Sequence, residues 1–214
     1  MTFTADAWER VTPILEAIQT HPFVMGLGDG SLGRREFAEY LAQDAVYLAD
    51  YARALSALAA MAPSADEVAF WSSAARDAIL VERSLHASHV ELDAVQPSAS
   101  CRAYTSYLLT LTVTGGYRVA AAGVLPCFWI YADVGRRLLD AAGDLSAHPY
   151  GDWIGLYADK AFDDQVDRAK AIVDEAARHA SPDELTAMHL AFETASRYEW
   201  MFWDAAWRLE VWPV

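Results

Sequence analysis

Positive charge is scarce in this chain of 214 residues: 16 lysines and arginines face 30 aspartates and glutamates, a net charge of −14. A surface that acidic repels phosphates, which argues against nucleic acid and against anionic membranes as partners. No apolar run approaches the ~20 residues of a membrane-spanning helix. The opening MTFTADAWER has no basic head followed by an apolar stretch, so no signal peptide is expected. Cysteine is nearly absent, and Cys101 and Cys127 cannot make a disulfide framework. A cytoplasmic setting with reduced thiols is the expectation. Strand-like alternation is also missing, so no sheet is expected.

Apolar residues, by contrast, make up 54% of the chain and recur at three- and four-residue spacing. The spacing predicts helices over 5–19, 34–61, 65–91, 98–113, 117–142, 151–157, 160–179 and 182–211. Loops are expected at THPFVMGLGDGS, APSAD, AVQPSAS, TGG, GDLSAHPYGD and HASPDE, where Gly, Pro, Ser and Asp collect. SPDE at 181–184 starts a helix cleanly, with Ser as cap, Pro first and Glu third. Seven or eight helices in one domain, residues 1–214, make an all-α bundle.

Three segments place polar groups among rings. In GVLPCFWIYADVG, Pro126 cannot donate to the carbonyl of Ala122, which predicts a kink beside Cys127. Tyr131 lies one turn on, on the same face. Cys127 is therefore either a nucleophile or a small buried hydrophobe. In EYLAQDAVYLADYAR, Tyr40, Asp44, Tyr47 and Tyr51 form one stripe. A buried aspartate there either grips a ligand such as an aminopyrimidine, or assists a thiol, or simply bonds a tyrosine. In SRYEWMFWDAAW, Glu199 shares a face with Phe202 and Trp203. Desolvation would raise its pKa and make it a general acid; the other reading is a solvent-facing Glu beside a core stripe.

Other features carry less. GLGDGS follows no strand, so a dinucleotide loop is excluded. Glu82, His86 and His89 share a helix face, but only His189 and Glu193 could complement them, so no metal is expected. FDDQVD reads as a solvated acidic helix start. Cys101 receives no role.

Taken together, HPFVMGLGDGSLGRREFAEYLAQDAVYL, AYTSYLL, LPCFWIYADVG, GDWIGLY and SRYEWMFW resemble the TenA family, also called thiaminase II, in order and spacing. The resemblance spans residues 8 to 210. It implies a haem-oxygenase-like bundle that needs no haem or other cofactor, assembled as a homotetramer. It implies hydrolysis of aminopyrimidine breakdown products of thiamine, or cleavage of thiamine itself, in pyrimidine salvage. Carried over residue by residue, the nucleophile falls on Cys127, the pyrimidine-binding aspartate on Asp44, and the C-terminal acid on Glu199. Pocket tyrosines fall on Tyr47, Tyr104, Tyr131 and Tyr157. Two departures stand out. Ala45 replaces a tyrosine common in relatives, and the threonine that often precedes the position of Tyr157 is absent, which bears on substrate size. Two other readings remain: a non-catalytic sensor of pyrimidines or thiamine, and a metal-dependent oxidase on the same bundle.

Overall fold

The structure is a computed structural model that describes residues 1–86 and 95–214, with the backbone alone for 81–86. The Glu82, His86 and His89 set therefore lies outside the described side chains. Among the described residues the regular structure is ten helices and no strand. In order they are α1 (Phe3–Arg10), α2 (Thr12–Gln19), α3 (Pro22–Asp29), α4 (Arg34–Met61), α5 (Ala65–His86), α6 (Ala99–Thr114), α7 (Gly116–Ala142), α8 (Gly151–Tyr157), α9 (Lys160–Arg178) and α10 (Pro182–Trp207).

Three boundaries differ from expectation. The 5–19 segment is two helices, because Pro13 in the first turn of α2 has no N–H to continue the ladder of α1. PFVMGLGD is helix α3 rather than loop. His21 caps it by accepting from the Phe23 N–H at 3.1 Å, Pro22 takes the first position, and Gly30 ends it with φ 78°. The glycines that read as a loop mark only its end. At the other terminus α10 stops at Trp207, short of 211.

The remaining starts follow the sequence. Ser98, Asp159 and Ser181 each cap with the side chain, and Ser181 and Glu184 complete a capping box. The 27-residue helix α7 is the hub, packed on α3, α4, α6, α8, α9 and α10. It runs on through Pro126 as one helix, and next to the proline the Tyr51 hydroxyl donates to the carbonyl of Val124 at 2.8 Å. Aromatic rings fill the centre: Trp71, Trp153, Trp203, Tyr40, Tyr104, Phe23 and Phe192 are all fully buried. Each such ring contributes on the order of 2–3 kcal/mol of burial. Tyr40 lies flat on Trp203, with ring centres 5.1 Å apart. Among the described residues no helix is long and apolar enough to cross a membrane.

One close approach shapes the site. A Cβ on Gly135 would lie 2.6 Å from the carbonyl carbon of Tyr157. Only glycine lets α8 settle onto the backbone of α7, and that contact sets where the Tyr157 ring goes.

Candidate active site

Cys127 opens into a cavity of about 330 Å³ bounded by α4, α5, α7, α8 and the start of α9. Ligand pockets span roughly 300–1,000 Å³, so a single flat heterocycle is the right scale. Tyr51, Phe128, Tyr131, Tyr157 and Phe162 give the walls an aromatic lining. Asp44 joins them although it is only 2% exposed. Cys127 is itself partly exposed, and the cavity is what it faces. The structure thus brings Asp44, Cys127, Tyr131 and Tyr157 to one hole from three helices.

Glu199, Tyr47 and Tyr104 do not line that hole. They are buried beside it. The Tyr104 hydroxyl donates to Glu199 Oε1 at 2.6 Å. The Tyr47 ring packs on Tyr104 at 5.0 Å and on Tyr51 at 5.4 Å. Among the described residues the Tyr47 hydroxyl has no hydrogen-bond partner, although it approaches the Cys127 sulfur closely enough to ease its ionisation. Behind the cavity, Tyr131 rests on Trp203 at 5.1 Å and on Tyr157 at 4.9 Å. Its hydroxyl accepts from that of Tyr40 at 3.4 Å. These rings cannot shift independently, so the walls are preformed.

Electrostatics separates the acid from the thiol. Burial raises Glu199 to about 8; the Tyr104 hydrogen bond opposes this and the nearby Asp44 adds to it. At neutral pH Glu199 therefore holds a proton; its 1% exposure rules out the solvent-facing reading. Burial also pushes the Cys127 thiol well above its ordinary value. The Glu199 and Asp44 charges add to this, while Tyr47 and Tyr51 act against it. Cys127 rests as a thiol, and any attack needs a base. Tyr47, Tyr51, Tyr104, Tyr131 and Tyr157 are all raised by burial and stay neutral donors. Cys101 is sealed in, its sulfur 3.7 Å from the Gln43 carbonyl and its pKa raised to about 12 by burial.

Some lining residues were not singled out from the sequence. Tyr51 was visible on its stripe, but nothing there marked it as a cavity wall. Phe162 and Gln165 lie in FDDQVD, which is only partly a solvated face: both reach the cavity, and Asp163 pairs with Arg136. The local sequence of an acidic helix start gives no sign of that inward turn. His189 and Glu193 do not cooperate. His189 faces Asp6 at 3.1 Å, whereas Glu193 pairs with Arg197 at 2.6 Å.

Comparison with known proteins adds four findings. A family model described as TENA/THI-4/PQQC matches residues 8–209. A protein of Halalkalibacterium halodurans named aminopyrimidine aminohydrolase is 37% identical over 221 residues, covering 99% of this chain and 98% of that protein. A solved TenA homologue from P. horikoshii superposes with a TM-score of 0.86 at 26% identity, covering 97% of this chain and 99% of that one. For the fold alone, a Shewanella denitrificans domain described as having a heme oxygenase-like fold superposes at a TM-score of 0.76 and 16% identity, covering 96% and 92%. The haem-oxygenase-like bundle expected from the sequence is the fold of this chain.

Proposed function

The chain belongs to the TENA/THI-4/PQQC family, and from that premise we propose that it is an aminopyrimidine aminohydrolase of the thiaminase II type. It would hydrolyse an aminomethylpyrimidine to ammonia and the hydroxymethyl compound, with Cys127 as nucleophile. The observation that supports this most is the meeting of the Cys127 thiol and the Asp44 carboxyl in one aromatic cavity of about 330 Å³, with a protonated Glu199 beside it.

The chemistry follows from those charge states. Asp44 grips the amino group on the ring and takes the thiol proton, since the thiol does not ionise unaided. The sulfur bonds to a ring carbon, and the proton of Glu199, which is buried behind the cavity wall, passes to the adjacent ring nitrogen by way of the Tyr47 hydroxyl, which lies near both Cys127 and Glu199. The aminomethyl group of the substrate enters protonated, as alkylamines are at neutral pH; the ring amino group pushes electrons toward the exocyclic methylene, and the carbon–nitrogen bond breaks with its electron pair leaving on neutral ammonia. Water adds to the methylene, and its proton leaves with the ammonia as ammonium. The sulfur–carbon bond breaks, Glu199 recovers its proton from the ring nitrogen, and the thiol recovers its own from Asp44. Tyr47, buried beside the cavity with its hydroxyl toward the Cys127 sulfur, eases the ionisation of the thiol as it attacks. Tyr131 and Tyr157 hold the faces of the ring.

The reading includes a homotetramer in the cytoplasm on the strength of family resemblance, with no metal and no cofactor taking part. One preparation tests it: ammonia release from an aminomethylpyrimidine is measured beside thiazole release from thiamine. Ammonia release carries the proposal; binding of both compounds with turnover of neither would leave a sensor in its place.

A further inference from the structure

Leu209 is the one residue other than glycine with a positive φ among the described residues, at 50°. A branched side chain is disfavoured there, so the surroundings must hold it. The turn it makes closes α10. Leu209 N donates to the Ala206 carbonyl at 3.2 Å and Glu210 N to the Ala205 carbonyl at 2.9 Å, the paired bonds of a helix end that usually carries glycine.

The strained turn aims Glu210 back at the first turn of α6. Glu210 Oε2 accepts from the backbone N–H of Ser100 at 2.9 Å, and Oε1 accepts from the Ser100 hydroxyl at 3.1 Å. Beyond it, the Trp212 indole donates to the Pro97 carbonyl at 3.0 Å. From the other side comes Gln43 of α4, the neighbour of Asp44. It accepts from Ser98 N at 2.8 Å and donates to the Gln96 carbonyl at 3.2 Å. Ser98 Oγ takes the Cys101 N–H at 3.1 Å. The backbone donors of Ser98, Ser100 and Cys101 at the start of α6 are thus held by side chains, and α4, α6 and the tail of α10 are joined at one point.

We propose that Glu210 is a positioning residue for the reaction: it ties the tail of α10 to α6 in the register that keeps the Tyr104 hydroxyl on Glu199. Tyr104 is one helical turn past Ser100, about 6 Å along the axis. Glu199 is on the same helix as the strained turn. Chain and hydrogen bonds therefore close a ring, with Glu210–Ser100 on one side and Tyr104–Glu199 on the other. A slip of α6 by one residue step, ~1.5 Å, would break a 2.6 Å hydrogen bond. The relevance to turnover rests on the aminohydrolase reading; the geometry does not.

The titratable groups around Glu199 come from three helices, Asp44, Tyr47 and Tyr51 from α4, Tyr104 from α6, and Cys127 and Tyr131 from α7, and the two that act on its carboxyl are Tyr104 and Asp44. Of these, the Tyr104 hydrogen bond is the one that lowers Glu199, so releasing α6 should raise it. The test titrates the Glu199 carboxyl by carbon-13 NMR in the full-length chain, assigned with Glu199→Gln, in wild type, Glu210→Ala and Glu210→Gln. In Glu210→Ala the midpoint should rise by half a pH unit or more above the wild-type value. Glu210→Gln, whose amide oxygen still accepts from Ser100, should restore most of the difference. The alkaline limb of kcat/KM for ammonia release should move the same way.

A folded Glu210→Ala with an unmoved Glu199 midpoint overturns the proposal, even with a lower Tm, because loss of any helix cap lowers Tm. Should Glu210→Ala not fold, Glu210→Asp, one methylene shorter, is read by the same criterion. A raised midpoint in a protein that releases no ammonia supports the positioning role and removes the aminohydrolase reading.

Discussion

Replacing Tyr104 with Phe deletes one hydroxyl and leaves the ring. That hydroxyl donates to Glu199 at 2.6 Å in a buried setting and favours the ionised carboxylate. Hydrogen bonds to charged groups contribute ~1.5–3 kcal/mol, and 1.4 kcal/mol corresponds to about one pH unit, so the Glu199 midpoint should rise by about one to two pH units. It begins at about 8. If protonated Glu199 is the working form, kcat/KM falls as pH rises through that midpoint, and Tyr104→Phe should carry activity further into alkali. At pH 7 Glu199 is protonated in both proteins, so any loss there does not come from its ionisation. The assay is ammonia release from an aminomethylpyrimidine between pH 6 and 11, with the two enzymes side by side so that substrate ionisation is common to both. A limb that stays fixed, or moves to lower pH, would refute the assignment of Glu199 as acid.

Other consequences follow from the same geometry. Between its ordinary value of 4.5 and about 8, Glu199 holds a proton in the folded chain that it has lost in the unfolded chain. The folded state binds more protons there, so stability falls as pH rises through this window and levels off above it. Glu199→Gln should remove that fall, gaining on wild type by a few kcal/mol between pH 5 and 9 in urea titrations; parallel pH curves for the two proteins would contradict the buried proton. Gly135→Ala places a Cβ 2.6 Å from the Tyr157 backbone, and overpacking of that kind costs about 1–3 kcal/mol. A lowered Tm with weaker pyrimidine binding is expected, and an unchanged Tm would mean that α8 moves freely on α7. Alkylation followed by mass spectrometry should mark Cys127, spare the sealed Cys101, and accelerate as pH rises past 9 because burial raises both thiols. Modification of Cys101 first would reverse the assigned exposures.

Much of the fold was legible because its signals are local. Periodicity located α4, α7 and α9, and the Ser181–Glu184 box located the start of α10. The failures came where a local signal carried two meanings. Glycine in GLGDGS looked like loop but served as the cap of α3, and Pro13 split a helix whose apolar pattern ran on unbroken. At the site, the stripe through Asp44 and Tyr47 and the pair Cys127 and Tyr131 were readable from i+3 and i+4 spacing. Which of them would face the hole was not. That depends on how α8 and the start of α9 fold over α7, and only tertiary packing sends Phe162 and Gln165 inward while leaving Glu199 one layer back. The tail at Leu209 and Glu210 gave no warning, because leucine is a poor indicator of a left-handed turn.

The central claim is that the Cys127 sulfur attacks a pyrimidine held by Asp44. Cys127→Ser changes one atom in a cavity wall that is otherwise intact. Calorimetry should show an aminomethylpyrimidine bound within a few-fold of the wild-type affinity, while ammonia release from the same sample falls by about 100-fold or more, the scale of losing an activated nucleophile. Ammonia release by Cys127→Ser at near the wild-type rate would contradict it.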